Sequence, residues 1–207
     1  MDGVLISSEE LWDEVRERLA RESGGRWGPD THRDMMGMST PEWTAYMRDT
    51  VGLTMSAKEI EDEVVRQLVA RYRAALPLIA GAVEAVVALA DGFTLGLASS
   101  SSRALIDAVL EAAGLADAFT ATVSSEEVAR GKPSPDVYLR ALEMLGIAPS
   151  EAVAVEDSGA GIRAAAAAGM RVVAIPNALY PPGDDALALA GIVLSSITEL
   201  TPEALGP

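Results

Sequence analysis

Residues 152–163 read AVAVEDSGAGIR, and this stretch decides how the whole chain is understood. A run of four small apolar residues is too short for a buried helix and fits a buried strand. It stops at two adjacent carboxylates, Glu156 and Asp157, turns through Ser158-Gly159, and enters an Ala-rich helix expected over Ile162–Ala168. Strand, polar turn and helix in a dozen residues are half of a strand–helix–strand unit. The same alternation recurs on both sides. Strands are expected at FTLGLAS (93–99), FTATVSS (119–125), RVVAIP (171–176) and GIVLSS (191–196), with helices over Val83–Ala90, Arg103–Ala113 and Pro135–Leu145. Short continuous apolar strands alternating with helices imply an α/β fold: a Rossmann-like, mostly parallel sheet covered on both faces. Ligands of such sheets sit at the carboxyl ends of the strands.

Before Pro77 the texture differs. The stretch SSEELWDEVRERLARESG (7–24) places Leu11, Val15 and Leu19 at i, i+4 and i+8, the stripe of an amphipathic helix. Thr40-Pro41 is expected to open a second helix with Thr40 as its N-cap. Ser56 and Glu59 have capping-box spacing for a third, running to Pro77. No strand pattern interrupts this block, so it reads as an all-helical subdomain, residues 8–76, inserted into a discontinuous core of residues 1–7 plus 77–207. That division expects residues 1–6 to end a core strand.

Composition narrows the function classes. The 207 residues are 49% hydrophobic and 23% charged, as in ordinary globular chains, and only 4% aromatic, so Ala, Val, Leu and Ile must build the core. Cysteine is absent, which excludes disulfides, thiolate nucleophiles and zinc–cysteine sites and fits a cytoplasmic location. A net charge of −15 argues against nucleic acid or an anionic membrane as partner. No signal peptide or membrane span is legible. Oligomeric state is not written in the sequence.

The strand ends collect a specific set of side chains. Ser99, Ser100, Ser101, Ser102 and Arg103 follow the strand at 93–99; Gly131-Lys132-Pro133 follows the next; Glu156-Asp157 ends the AVAV strand; Asp2-Gly3 stands at the start. Hydroxyls and an ammonium donate to an anion, while clustered carboxylates suit a hard cation such as Mg²⁺. Two unit charges about 4 Å apart interact by roughly 4 kcal/mol at an effective dielectric near 20. A phosphate facing these carboxylates would be expelled without a cation between them, so the set implies a Mg²⁺-dependent phosphate-handling site. Two other patterns lead nowhere. Gly159-Ala160-Gly161-Ile162-Arg163-Ala164 satisfies a dinucleotide fingerprint, but Glu156 and Asp157 stand where a pyrophosphate would approach. His32, the only histidine, lies in a polar stretch without a nucleophile elbow.

DGVL (2–5), LASSSS (97–102), GKPSPD (131–136) and VEDSGAGIRAA (155–165) resemble, in order and spacing, the four motifs of the haloacid dehalogenase superfamily, in its beta-phosphoglucomutase-like and sugar-phosphatase branch. The resemblance covers nearly the whole chain and implies that the helical insertion is the family's cap. It assigns phosphate binding to Ser99, Ser100 and Lys132, with Ser101 and Arg103 as further substrate contacts. Catalysis falls to Asp2 and Lys132, and the metal to Asp2, Glu156 and Asp157, with Asp157 the direct ligand. The family's first motif is Asp-x-Asp-Gly, whose first Asp is the nucleophile that forms an aspartyl-phosphate. Met1 matches the x position and Asp2 the second Asp, so the expectation is a chain truncated just before Met1, lacking the nucleophile and its strand, and impaired as it stands. Phosphatase action on a small phosphorylated metabolite, a sugar-phosphate-like monoester, is the first reading the resemblance implies. A sugar phosphomutase is the second, disfavoured because Met36 and Thr40 occupy positions where a mutase cap carries cations. A non-catalytic phosphate-binding or regulatory protein is the third.

Overall fold

The computed structural model describes residues 1–35, 38–177 and 180–205. The chain divides into two compact units, residues 8–75 and residues 1–7 together with 76–207. The first unit contains α1 (Glu9–Glu22), α2 (Thr31–Asp34), α3 (Thr40–Asp49) and α4 (Ala57–Ala74). Helices α1 and α3 pack on α4, burying Val15, Leu19, Met47, Ile60, Val64 and Leu68. The Ser56 box closes as its spacing demands: Glu59 N–H donates to Ser56 Oγ at 3.3 Å, and Ser56 N–H donates to Glu59 Oε2 at 2.8 Å. At α3 the expected cap is displaced by one residue. Ser39 is the N-cap and its N–H donates to Glu42 Oε2 at 2.7 Å, because the Ser39–Glu42 spacing completes a box that Thr40 has no acid to complete. Helix α4 stops three residues short of Pro77, with Ala75 already extended.

The second unit holds α5 (Ala82–Ala90), β1 (Gly96–Ser99), α6 (Arg103–Ala113), β2 (Ala121–Ser124), α7 (Asp136–Leu145), β3 (Val153–Glu156), α8 (Gly159–Ala167), β4 (Arg171–Ala174), α9 (Asp184–Leu187), β5 (Ile192–Val193) and α10 (Pro202–Leu205). All strand pairs are parallel, as the alternation predicts, but they form two separate sheets, β1–β2 and β3–β4–β5. Between β1 and β3 lies a cavity of about 420 Å³, lined by Leu97 and Ala98 of β1, Val153 and Val155 of β3, and Leu89 and Leu142 of α5 and α7. Residues 1–6 do not end a strand. They fold into a tight turn in which Leu5 N–H donates to Met1 O at 2.7 Å and Gly3 N–H to Ile6 O at 2.8 Å, with isolated bridges at Asp2–Ile6 and Ile6–Leu78. Gly3 takes φ +71°, which favours glycine and bends the chain back before any ladder forms. Among the described residues no helix is long and apolar enough to cross a membrane.

Candidate active site

The carboxyl ends of β1 and β3 open on a pocket of about 190 Å³ lined by Asp2, Ser99, Ser100, Lys132, Glu156 and Asp157, with Met1 and Ser158 at its edge. Each side chain arrives there for a local reason. Ser99 is the last residue of β1 and 3% exposed; its Oγ accepts the Ser101 N–H at 3.1 Å, which curls the serine run back over the strand end. Ser124, the last residue of β2, and Ser125, just past it, donate through Oγ to Ser101 O at 2.7 Å and Ser99 O at 3.2 Å. Ser101 Oγ donates in turn to Asp2 Oδ2 at 2.6 Å. Ser101 thus acts on the pocket through Asp2. Ser102 occupies the N-cap position of α6 without a side-chain cap bond, and its Oγ is buried without a partner among the described residues.

Lys132 enters from the loop before α7. Its Nζ donates to Ala98 O at 3.1 Å, lies 3.4 Å from Tyr138 Oη, and forms an ion pair with Glu156 Oε1. The Tyr138 hydroxyl donates to the same Glu156 oxygen. Glu156 Oε2 accepts from Ser158 Oγ at 3.3 Å. Burial alone would push the Glu156 carboxyl up; Lys132 and Tyr138 outweigh it and hold it below the usual carboxylate range. Tyr138 moves the other way, well above the ordinary phenol value, through burial and the adjacent Glu156 charge, and so remains a donor. Both oxygens of Glu156 are thereby engaged. The residue expected among the metal ligands is turned toward Lys132 instead, because a buried lysine needs a counter-charge at contact distance.

Asp157 stands differently. Burial, reinforced by the neighbouring Glu156 charge, pushes its carboxyl up to about 6. Its carboxylate packs on Gly3 so closely that a Cβ there would stand 1.9 Å from Oδ2; a Cβ on Gly161 would stand 1.9 Å from Glu156 Oε2. Two glycines therefore make room for the two acids. No group of three His, Cys, Asp or Glu among the described residues has metal-ligand geometry. What fits a hard divalent cation is the pair Asp2 and Asp157, both on the pocket wall, of which Asp157 is a buried acid that a cation would relieve.

Arg103 is not available to grip a substrate. Its Nε and Nη2 donate to the Glu127 carboxylate at 2.8 and 2.9 Å, Nη2 also to Thr122 O at 2.9 Å, and Nη1 to Thr122 Oγ1 at 2.8 Å with Asp107 Oδ1 at 3.4 Å. Every guanidinium N–H is engaged, chiefly in tying the start of α6 to Thr122 of β2 and to Glu127 just beyond it. Met36, whose lack of charge weighed against a mutase, lies outside the described residues. Tyr138, Ser124 and Ser125 are site residues that the strand-end reading missed. The signal for Tyr138 was a lone aromatic one turn into the helix that follows GKPSPD.

Comparison with known proteins gives one consistent result. The profile of a hydrolase family, haloacid dehalogenase-like hydrolase, matches residues 1–169. Hexitol phosphatase B of Escherichia coli (strain K12) is 36% identical over 211 residues, covering 99% of this chain and 93% of that protein. The phosphorylated carbohydrates phosphatase of Thermotoga maritima is 29% identical over 181 residues, covering 86% and 84%. The crystal structure of CbbY from Rhodobacter sphaeroides in complex with phosphate superposes with a TM-score of 0.86 at 27% identity, covering 97% of this chain and 93% of that one.

Proposed function

The chain belongs to the haloacid dehalogenase-like hydrolase family, and from that premise we propose that it is a Mg²⁺-dependent phosphatase acting on a small phosphomonoester of a sugar or sugar alcohol. The observation that carries this reading is the pocket in which serine hydroxyls, a lysine ammonium and the three carboxylates Asp2, Glu156 and Asp157 meet. The relatives named for hexitol and carbohydrate phosphates support the substrate class.

In this mechanism Ser99 Oγ and the backbone at Ser100 donate to the phosphoryl oxygens. Lys132, fixed by Ala98 O, Tyr138 and Glu156, places its charge beside them. Preorganised donors of this kind supply most of the rate enhancement in phosphoryl transfer. Asp2, oriented by Ser101, gives a proton to the departing alkoxide and later takes one from the attacking water. Asp157, with the backbone carbonyl of Asp2, would hold the Mg²⁺, whose charge offsets that of the phosphoryl group, and the Asp2 side chain is left for the leaving group. The matching family motif puts the nucleophilic aspartate immediately on the amino side of Met1, and the apolar cavity between β1 and β3, with Met1 in its lining, supports a further strand there.

The experiment is Mg²⁺-dependent phosphate release from hexitol and hexose phosphates by two proteins: the chain with its present start, and the same chain preceded by a short apolar strand ending in Asp. Activity in the extended form alone, abolished by chelation, is the expected result. A phosphate isomer in place of free phosphate would mean a mutase. No turnover from either folded protein would mean a binding protein.

A further inference from the structure

Lys132 carries three ammonium N–H groups, and each meets an acceptor. One donates to Ala98 O at 3.1 Å, one enters the ion pair with Glu156 Oε1, and the third faces Tyr138 Oη at 3.4 Å, the longest of the three contacts. An ammonium has no further donor. A phosphoryl group in the pocket that Lys132 lines can gain a hydrogen bond from it only by taking over one of these. The long contact to Tyr138 is the one with least to lose.

Tyr138 itself stands outside that pocket. It lies in the first turn of α7, 7% exposed, and lines the apolar cavity between β1 and β3, with its ring centre 4.9 Å from Lys132 Nζ. Its hydroxyl proton goes to Glu156 Oε1, the same oxygen that faces Lys132. The two lone pairs of Oε1 then hold one donor each. Oε2 takes Ser158 Oγ at 3.3 Å, and the carboxylate has little room to turn, since a Cβ on Gly161 would stand 1.9 Å from Oε2. Without the phenol proton, Oε1 would keep an unmet acceptor position in a buried place, which is unfavourable. Lys132 is the donor already in contact with that oxygen. A second ammonium N–H would be drawn to Glu156, and the one open to the phosphoryl group would be lost.

We propose that Tyr138 is a positioning residue for phosphate binding: by sharing Glu156 with Lys132 it keeps the third ammonium N–H for the phosphoryl oxygens. This rests on the phosphatase reading of the pocket and adds to it a residue that touches neither phosphate nor metal. The test titrates the ¹⁵N-labelled full chain and its Tyr138→Phe variant with inorganic phosphate in the presence of Mg²⁺. Calorimetry gives the affinity, and NMR follows the Lys132 ammonium resonance. Phenylalanine keeps the ring and its contact with the ammonium and removes only the hydroxyl. Phosphate affinity is expected to fall about five- to tenfold in the variant, the worth of one hydrogen bond. The Lys132 resonance, which moves as phosphate saturates the unsubstituted chain, is expected to move far less in the variant. Undiminished affinity in Tyr138→Phe overturns the inference. So does a weakened affinity with the Lys132 response unchanged, which would make Tyr138 a packing residue. Both of those results leave the phosphatase reading standing. An absence of saturable phosphate binding by the unsubstituted chain strikes that reading itself, and the inference with it.

Discussion

The two units close their cores differently. In the helical unit Val15, Met47, Ile60, Val64 and Leu68 are wholly shielded from solvent. In the α/β unit the sheet stands in two pieces with a cavity of about 420 Å³ between them. A helix satisfies its own backbone and needs neighbours only for one apolar stripe. A strand needs a neighbour on each edge for its N–H and C=O groups, so a sheet split in two leaves strand edges unpaired at the split.

Hydrogen exchange tests that contrast most directly. Amides of β1 and β3 on the cavity side are expected to exchange roughly 100-fold or more faster than those in the middle of α4. Equal protection would mean that the two half-sheets are as tightly closed as the helical unit. Buried side chains give the next largest effect. Lys132→Met leaves Glu156 charged and buried, since the two side chains are only 10% and 6% exposed. Denaturant unfolding is expected to show a loss of about 3–5 kcal/mol. Leu68→Ala in the helical unit is expected to cost about 2–5 kcal/mol through an apolar void alone. The comparison sharpens if raising salt softens the first loss and leaves the second untouched.

Gly161→Ala sets a Cβ against Glu156 Oε2 and is expected to cost about 1–3 kcal/mol, with a parallel loss of the phosphate release proposed above. Alanine accommodated without change would mean that the carboxylate is free to move. Arg103→Met is expected to lower stability by about 1–2 kcal/mol while leaving KM unchanged; a raised KM would restore Arg103 as a substrate contact. The smallest effect belongs to the helical unit. Hydrogen bonds from Arg66 and Gln67 hold Glu63 down at about 2, below its ordinary 4.5. A depressed folded-state pKa contributes stability above 4.5 that fades as pH falls toward 2. Glu63→Gln should therefore cost about 0.5 kcal/mol at neutral pH, and melting curves of the two proteins should converge between pH 4.5 and 2.

The α/β class was legible because strand and helix periods are local: GLAS, ATVS, VAVE and RVVA fall inside the four longer apolar runs that mark them, and the Arg103–Ala113 helix begins and ends where its pattern does. Residue types at the strand ends were legible too, since a strand's last residues face its carboxyl rim whatever lies elsewhere. The roles of Glu156 and Arg103 were not, because nothing near either residue in the sequence distinguishes a metal ligand from a lysine's counter-ion, or a substrate clamp from a helix tie.

By itself the sequence determined the parallel α/β alternation, the helical block before Pro77 and the set of hydroxyl, ammonium and carboxylate groups at the strand ends. The tertiary structure alone decided the pairings: Lys132 with Glu156 across 24 residues, Ser101 with Asp2 across 99, the engagement of Arg103 by β2, and the division of the sheet. Hydrophobic periodicity repeats within a few residues and can be read along the chain. A buried charge selects its partner by distance in space, and that distance exists only once the chain has folded.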